Sequence, residues 1–332
     1  MMSCWKATKI YIEKDRTYSY RSEVFLKYFD GHCDVLYKMF MDKTINFQNS
    51  DKLHVTKEGL QKGGTKIQCF ALYVPESVHP DMRFEAALSM ATIFYEKILQ
   101  PNPDFKFIRT KKDIEDLKDG ETGALLTLEG CDAIGGDLLK LKTLLRLGVS
   151  AVGLTWNYAN AVADGALEPR GAGLSLFGKE TVKLLNKQDI WVDVSHLSEN
   201  AFWDVMEQAD HPYASHSNTY NLCPHPRNLR DEQIKAMIEA DSVIGITFVP
   251  QFLSGTNTAT ITDILRHLDY ICSLGGEDHV GFGSDFDGIS QTVKGLASTA
   301  DYPNLINELT KYYTSTQVEK FLYTNMVKRF PK

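Results

Sequence analysis

The sequence predicts an α/β fold, a closed parallel (β/α)8 TIM barrel, and three observations support it. Short apolar runs rich in β-branched and aromatic residues recur along the 332-residue chain, with helix-like stretches between them, which is the pattern of βα units. Most runs are almost continuously apolar, as expected for strands covered on both faces. Eight such runs are present, and eight βα units fit a closed barrel more simply than an open, doubly wound sheet.

The predicted strands follow one another through most of the chain, and helical segments lie between them. The strands are predicted at 28–35, 66–74, 123–128, 150–157, 190–196, 212–217, 242–249 and 279–285. The helices are predicted at 82–100, 138–147, 175–187, 198–208, 231–240 and 260–274, with a helical tail at about 304–329. Ser198 before Glu199 resembles a helix N-cap, and Asp231 precedes another apolar stripe.

Residues 1–27 precede the predicted barrel as an N-terminal extension, and residues 28–332 form a single barrel domain that ends in helices. Alternation over 9–21, around Lys14, Asp15 and Arg16, predicts a small hairpin in the extension. The sequence shows no internal repeat, linker or low-complexity block that would divide the remainder into further domains.

The composition excludes several classes of partner. A formal net charge of −7 offers no basic surface, so neither nucleic acid nor a membrane is expected as a partner. Residues 1–20 lack the apolar core of a secretory signal, no stretch approaches the ~20 apolar residues that span a bilayer, and residues 321–332 are too polar for a lipid-anchor signal. We therefore expect a cytoplasmic protein. Six scattered cysteines without a C-x-x-C pair indicate reduced thiols.

Histidines and acids stand at the ends of several predicted strands, which is where the active sites of (β/α)8 barrels collect. His32 and Asp34 are two apart in the first strand, so both side chains are expected on one inward face, where they can bind one ion. The side chain of Cys33, between them, is expected to point away. A salt bridge at the strand end is the alternative for the pair.

The third, fifth and sixth strands bring further candidate ligands. The third ends at Glu129, and because a buried unpaired carboxylate is costly, this residue needs a metal, a base or a proton. Bridging two ions would meet that need. The fifth and sixth strands end at His196 and His216, whose imidazole nitrogens suit Zn²⁺. A hydrogen-bonded core histidine is the alternative for each alone, but their coincidence with the other three residues favours a shared metal site.

Other residues are candidates for proton transfer and substrate binding. Asp285 ends the eighth strand, within reach of the predicted metal site, with a capping role as the alternative; Asp287 before Gly288 is interpreted as a turn residue. Arg227, in the loop after the sixth strand, could bind a substrate carboxylate in a bidentate manner or form a surface ion pair. Tyr73, at the end of the second strand, could donate its hydroxyl to a ligand or pack in the core.

The motifs around these residues occur in a specific order and spacing. They are Asp-Gly-His-Cys-Asp at 30–34, Gly-Gly at 63–64 leading to Tyr73, Leu-Glu-Gly at 128–130, Val-Ser-His-Leu at 194–197, Ser-His-Ser at 215–217, Arg227-Asn228, and Gly-Ser-Asp-Phe-Asp-Gly at 283–288. Taken together, from about residue 30 to residue 288, they resemble the membrane (renal) dipeptidase family of binuclear zinc peptidases, peptidase family M19.

The resemblance implies a barrel of the metal-dependent hydrolase type with two Zn²⁺ ions as cofactors. Five candidates would be metal ligands: His32 and Asp34 for one ion, His196 and His216 for the other, and Glu129 as the bridge. Asp285 would handle protons, while Arg227 and Tyr73 would contact the substrate. The chain departs from the family at Trp156, where many relatives carry a substrate-contacting histidine, so Trp156 is also expected at the substrate.

These expectations predict a zinc-dependent dipeptidase that hydrolyses the amide bond of a dipeptide. Substrates with a C-terminal D-residue and assembly as a homodimer are both compatible with the sequence, which does not decide either. Two alternatives remain at this point. Another metal-dependent barrel hydrolase would act on a lactone, a cyclic amide or a phosphoester, although such barrels often use a His-x-His pair or a carboxylated lysine. A non-enzymatic binding protein would keep the barrel only as a scaffold.

Overall fold

A computed structural model describes residues 26–332 and confirms the predicted barrel. Nine parallel strands are described: Tyr28–Asp30 (β1), Thr65–Tyr73 (β2), Phe105–Phe107 (β3), Thr122–Glu129 (β4), Val149–Gly153 (β5), Trp191–Asp193 (β6), Pro212–Tyr213 (β7), Ile244–Ile246 (β8) and Val280–Phe282 (β9). The barrel order is β7-β6-β5-β4-β2-β1-β9-β8, and a parallel bridge between Ala214 and Ile244 joins its two ends. The hairpin predicted at 9–21 lies outside the described residues.

Each of the eight predicted runs overlaps one barrel strand. Six of these strands are shorter than their runs, whereas β2 is as long as its run and β4 is longer by one residue at each end. β1 ends at Asp30, and Val35 already begins a helix, because the chain turns at the rim after the last sheet contact. The additional strand, β3, pairs only with the first residues of β4, whereas β5 pairs with β4 from Leu126 onward. β3 was not predicted, since three residues centred on Lys106 are too short to show a strand period.

The helices cover the outside of the sheet, as the βα pattern predicts. Those described are Val35–Met41 (α1), Lys57–Gly63 (α2), Arg83–Ile93 (α3), Lys111–Glu115 (α4), Leu138–Arg146 (α5), Leu176–Lys187 (α6), Glu199–Gln208 (α7), Asp231–Glu239 (α8), Pro250–Ser254 (α9), Ile261–Ser273 (α10), Tyr302–Tyr312 (α11), Ser315–Glu319 (α12) and Asn325–Arg329 (α13). The six predicted helices correspond to α3, α5, α6, α7, α8 and α10, and α11 to α13 form the predicted tail. Ser198 caps α7 by accepting a hydrogen bond from the amide of Ala201, as expected. The short helices α1, α2, α4 and α9 were not predicted.

Two apolar layers hold the barrel together. The larger one lies between the sheet and the helices, and the smaller one fills the barrel interior with alternate residues such as Ile67 and Cys69 of β2. Inside, the ring of Trp191 stacks on Tyr213 at 4.4 Å and meets Phe330 edge-on at 5.1 Å. Phe330 belongs to the C-terminal segment, which therefore closes the end at which the strands begin.

The described residues also show whether any helix could cross a membrane and whether the cysteines form disulfides. Within residues 26–332, no helix has both the length and the apolar character needed to cross a bilayer. The five cysteines in this range are free thiols. Cys33 donates a hydrogen bond to the carbonyl of Cys69 and lies in the layer between sheet and helices, so it faces away from the strand-end residues, as predicted.

Glycines allow the backbone to pack closely beneath the rim. A Cβ added at Gly283 or Gly245 would overlap the carbonyl oxygen of Ser215, the residue before His216. Glycine is required at both positions because any side chain would displace the neighbouring backbone. These contacts therefore help to set the position from which His216 projects.

We expect Gly283→Ala to lower the free energy of unfolding by roughly 1–3 kcal/mol, because the backbone around Ser215 would have to shift to admit the methyl group. Urea-induced unfolding followed by circular dichroism would measure this. Gly136→Ala is the matched control, since no atom lies within 4 Å of a Cβ built there. Equal stability of the two variants would show that the rim tolerates the extra carbon.

Candidate metal centre and active site

The nine predicted site residues lie at the end of the barrel where the strands finish. Tyr73 and Glu129 are the last residues of β2 and β4. The others lie in the loops that follow the strands: His32 and Asp34 after β1, Trp156 after β5, His196 after β6, His216 and Arg227 after β7, and Asp285 after β9. The structure therefore brings together side chains that are up to 253 positions apart, from His32 to Asp285.

His32 is surrounded by three carboxylates. Its Nε2 lies 3.4 Å from Oδ2 of Asp34, 3.3 Å from Oε2 of Glu129 and 4.0 Å from Oδ1 of Asp285. His32 and Asp34 lie beyond the end of β1, so they converge through the turn into α1, with Asp34 at its N-cap position, and not by strand alternation as expected from the sequence. When ionised, the buried Asp34 and Glu129 and the partly buried Asp285 carry more negative charge than a single proton on His32 can balance.

The charges in this cluster shift one another's pKa values. Burial opposes charge on His32, but the carboxylates of Glu129 and Asp34 outweigh it and raise the pKa of His32. Burial and the nearby charge of Glu129 raise the pKa of Asp34, and burial and the charge of Asp34 raise the pKa of Asp285. Nε2 of His32 and Oδ1 of Asp34 are buried without a hydrogen-bond partner among the described residues. Such atoms are available as ligands of a cation.

The second half of the site consists of two facing histidines. Nε2 of His196 lies 2.9 Å from Nε2 of His216 and 3.1 Å from Oε1 of Glu129. Glu129 thus directs one oxygen towards His32 and the other towards His196. This is the arrangement expected of a carboxylate that bridges two cations.

Hydrogen bonds to the other ring nitrogens determine which tautomer each histidine adopts. Nδ1 of His196 lies 2.8 Å from Oδ1 of Asn157, an acceptor, so Nδ1 carries the proton. The hydroxyl of Ser215 donates its one proton to the carboxylate of Asp193 and lies 2.6 Å from Nδ1 of His216. Because that hydroxyl can then only accept, Nδ1 of His216 also carries the proton.

The Nε2 atoms of His196 and His216 therefore carry no proton, and their lone pairs face each other. Burial and the charge of Arg227 lower the pKa of His196 to about 3, and burial and the charge of His32 lower the pKa of His216 well below its usual range. Neutral imidazoles with free Nε2 lone pairs are the form that binds Zn²⁺. The donor set therefore fits the metals implied by the resemblance, and two groups, His32–Glu129–His216 and His32–Asp34–Asp285, bring ligand atoms close enough to hold an ion.

Asp285 and Asp287 share a left-handed backbone but differ in what their carboxylates bind. His196 and Asp285 adopt left-handed φ values of 69° and 62°, a conformation that costs energy in non-glycine residues and recurs at functional sites. Asp287 also has a positive φ, but its carboxylate accepts hydrogen bonds from the amides of His54 and Val55. Asp287 therefore anchors a neighbouring loop, in agreement with its interpretation as a turn residue.

Arg227 is buried beside the histidines, which makes a surface ion pair the wrong alternative. Its side chain donates to the carbonyl of His216 at 3.2 Å and lies over the ring of Phe252 at 5.5 Å. No acid of the described residues is within salt-bridge distance, and Nε has no partner there. Arg227 lines a cavity of about 250 Å³ that reaches His196 from the side of α7 and α8.

A larger cleft of about 440 Å³ opens above the other face of the site. Asp34, Glu129, His196 and Asp285 line it, together with Tyr73 and Trp156. Both aromatic side chains are only partly buried, so simple core packing does not describe them. Burial and the charge of Glu129 raise the pKa of Tyr73, so its hydroxyl keeps its proton and can act as a donor.

Asp193, Ser215 and Asn157 were not identified from the sequence. Asp193 did leave a signal, because an acid that interrupts the apolar run of a predicted strand must find partners. Its carboxylate accepts hydrogen bonds from the amides of Ser195 and Ser215 in addition to the Ser215 hydroxyl. Ser215 and Asn157 carried no signal of their own, since both are ordinary loop residues.

Comparisons with known proteins identify the family of this chain. The family model for membrane dipeptidase, peptidase family M19, matches residues 23–332. The chain is 32% identical over 305 residues to dipeptidase aclJ of Aspergillus oryzae, which covers 84% of this chain and 71% of the relative. Its structure is similar to that of dipeptidase AC, a metallopeptidase of family M19, with a TM-score of 0.87, 28% identity and coverage of 92% of this chain and 98% of the other.

A second similar structure contains a ligand. It is a metallopeptidase of Rhodobacter sphaeroides bound to a phosphinate mimic of the dipeptide L-Ala-D-Ala, with a TM-score of 0.87, 27% identity and coverage of 92% of this chain and 98% of that one. The match of the family model over nearly the whole chain shows that this protein belongs to the membrane dipeptidase family, peptidase family M19.

Proposed function

We propose that this protein is a dipeptidase that uses two zinc ions to hydrolyse the amide bond of a dipeptide. The observation that carries the proposal is the pair of Nε2 lone pairs of His196 and His216, which face each other at 2.9 Å beside a Glu129 oxygen. Without a cation these atoms repel one another, and the low pKa values of the two histidines make a shared proton unfavourable.

The five ligands divide between two ions. His32 and Asp34 would hold one ion, His196 and His216 the other, and Glu129 would contribute one oxygen to each. When bound, the zinc ions supply Lewis-acid chemistry, lowering the pKa of water and polarising the scissile carbonyl. The unpartnered Nε2 of His32 and Oδ1 of Asp34 support the first set. The Ser215 and Asn157 hydrogen bonds that orient the two histidines support the second.

Asp285 would move the proton. Its carboxylate lines the cleft beside Asp34 and is the most exposed of the three acids, with 16% of its side chain accessible. In the reaction it would accept a proton from the attacking water and deliver it to the leaving amine nitrogen. Burial and the charge of Asp34 raise the pKa of Asp285, so this carboxylate is a stronger base than an exposed one and better suited to accept the proton.

Arg227, Tyr73 and Trp156 would bind the substrate. The buried guanidinium of Arg227 has an unpaired Nε and suits the terminal carboxylate of a dipeptide, which would limit substrate length. The phenol of Tyr73 keeps its proton and could donate to a substrate carbonyl or oxyanion. Trp156 would pack against a substrate side chain.

The proposal is tested by metal analysis and a substrate panel on one preparation. We expect two zinc equivalents per chain and hydrolysis of L-Ala-L-Ala and L-Ala-D-Ala, with much slower hydrolysis of Ala-Ala-Ala. A lactone and a phosphoester serve as the panel's other members. Cleavage of either of these without cleavage of any dipeptide would favour another metal-dependent hydrolase, and failure to bind a divalent ion would refute the proposed centre.

Arg227→Ala should raise KM for free dipeptides by at least roughly 10-fold, and much less for dipeptide amides, because only the free acids offer a carboxylate to the guanidinium. Steady-state kinetics on Ala-Ala and its amide would measure the difference. Arg230→Ala is the control, since Arg230 lies at the cavity edge and pairs with Glu199. An equal rise in KM for both substrates would argue against carboxylate binding by Arg227.

Ser215→Ala should weaken zinc binding roughly 10- to 100-fold, because His216 would lose the acceptor that fixes its tautomer and ring orientation. Competition with a chromogenic chelator would measure the affinity without reference to catalysis. Ser242→Ala removes a buried serine hydroxyl that donates to Pro212, away from the ligands, and should bind zinc normally. Ser215→Thr keeps the hydroxyl and should recover much of the affinity, whereas wild-type affinity in Ser215→Ala would exclude the orienting role.

A further inference from the structure

The cleft above the site has a charged floor and apolar sides. Asp34, Glu129, His196 and Asp285 form the floor, on which the reaction would take place. The apolar groups around it are Tyr37, Tyr73, Trp156, Val249, Phe252 and Ile289. A volume of about 440 Å³ lies within the range of pockets that enclose small molecules. The cleft can therefore accommodate substrate side chains as well as the peptide bond.

Three of these side chains form a continuous aromatic wall, which we define as Tyr37, Tyr73 and Trp156. The ring of Tyr37 meets Tyr73 edge-on at 5.4 Å, and Tyr73 lies 5.4 Å from Trp156. Trp156 in turn lies 6.2 Å from the imidazole of His196, inclined by 32°. The wall thus begins on α1, crosses the end of β2 and ends directly beside a predicted metal ligand.

Trp156 is held in this position by its neighbours in the chain. The hydroxyl of Thr155 donates to the carbonyl of His196 at 3.2 Å, and Asn157 bonds to Nδ1 of the same histidine at 2.8 Å. The residues on both sides of Trp156 are therefore tied to His196. The indole is presented to the cleft as a preorganised surface, which reduces the entropic cost of binding a ligand against it.

The charge distribution favours the same kind of substrate. Among the described residues that line the cleft, no lysine or arginine is present. An acidic side chain packed against the aromatic wall, away from the floor where the zinc ions and the peptide bond would lie, would lose its hydration without gaining an ion pair. A flat apolar side chain, in contrast, would gain contact with the partly exposed rings of the wall.

We propose that the aromatic wall makes this protein selective for dipeptides that carry an aromatic or large apolar side chain, and that Trp156 is the specificity-determining residue. The inference rests on the dipeptidase function proposed above and adds the class of substrate. The substrate side chain packs against the indole face next to His196, with Tyr73 behind it. Acidic dipeptides are disfavoured.

The test compares kcat/KM of the zinc-loaded protein over two series, Ala-Xaa and Xaa-Ala, with alanine, leucine, phenylalanine and glutamate at the variable position. Both series are needed because either residue of the dipeptide can face the wall. In at least one series we expect phenylalanine to exceed alanine by roughly 10- to 100-fold, with glutamate the poorest. A phenylalanine-to-alanine ratio near one in both series would overturn the proposal.

Variants identify the residue responsible. In Trp156→Ala and Trp156→His the phenylalanine-to-alanine ratio should fall at least roughly 10-fold, and Trp156→Phe should keep an intermediate ratio because a flat ring remains. Tyr312→Ala, which removes an exposed aromatic side chain on α11, should keep the wild-type ratio. An unchanged ratio in Trp156→Ala would remove Trp156 from the proposal.

The outcomes also separate this inference from the function on which it rests. Hydrolysis of Ala-Ala without an aromatic preference would leave the dipeptidase function standing and refute only the selectivity. Hydrolysis of no dipeptide by zinc-loaded protein would refute both.

Discussion

Asp285→Asn is expected to lower kcat by roughly 10²- to 10⁴-fold while zinc content stays near that of the wild type. The amide of asparagine cannot accept the proton of the attacking water or return it to the leaving amine. It does preserve the shape of the side chain, and asparagine tolerates the left-handed backbone that Asp285 adopts at φ 62°. The loss should therefore reflect proton transfer and not misfolding.

The measurement combines steady-state hydrolysis of a dipeptide with elemental analysis of the same sample. Asp189→Asn is the control, because Asp189 also has a positive φ, 49°, but is exposed and lies at the opposite end of the barrel, before β6. If Asp285→Asn kept substantial activity, the proton-transfer role would be wrong. If it lost zinc together with activity, Asp285 would instead be a metal ligand, as its distance of 4.0 Å from Nε2 of His32 permits.

Glu129→Gln is expected to abolish activity and to remove at least one of the two zinc equivalents. A bridging carboxylate supplies an anionic oxygen to each ion, and an amide supplies one weaker, neutral donor. The metal-free variant should also be less stable than the metal-free wild type at neutral pH. Burial opposes charge on Glu129, but His32 and His196 outweigh it and lower the pKa of Glu129, so its charge stabilises the fold. The substitution thus weakens the metal-free form and removes most of the further stabilisation by zinc.

Thermal unfolding with and without added zinc would separate these effects. The wild type should gain stability with zinc, by about 2.7 kcal/mol when free zinc is 100-fold above its Kd, and Glu129→Gln should gain much less. Glu239→Gln, at an exposed position on α8, should respond to zinc like the wild type. A full zinc response in Glu129→Gln would contradict the bridging role.

The metal-ligand candidates could be found from the sequence because of a property of the fold. In a parallel barrel every strand ends at the same rim, so polar residues that terminate apolar runs are brought together whatever their separation in the chain. His196 and His216 follow β6 and β7 by three residues each, and Glu129 is the last residue of β4. The order of apolar runs and polar residues therefore predicts that all three lie at the rim, although it contains no distances between their side chains.

His32 and Asp34 converge as predicted, but not for the predicted geometric reason. Alternation along a strand predicted that their side chains share a face, but β1 ends at Asp30 and the pair meets in the turn that leads into α1. The short strand β3 left no period to detect. Boundaries of this kind depend on which neighbour a segment pairs with, and this cannot be read from the segment alone.

The amino-acid sequence alone was enough to predict the parallel barrel and the candidate residues at its rim. Both follow from local properties of the chain: the spacing of the apolar runs and the polar residue that ends each run. Only the tertiary structure decided which nitrogen of each histidine is free, since that depends on Asn157 and on Ser215 with Asp193, partners brought into contact by folding. It also decided that Tyr37, Tyr73 and Trp156 form one wall, because they come from different βα units and meet only when the barrel closes.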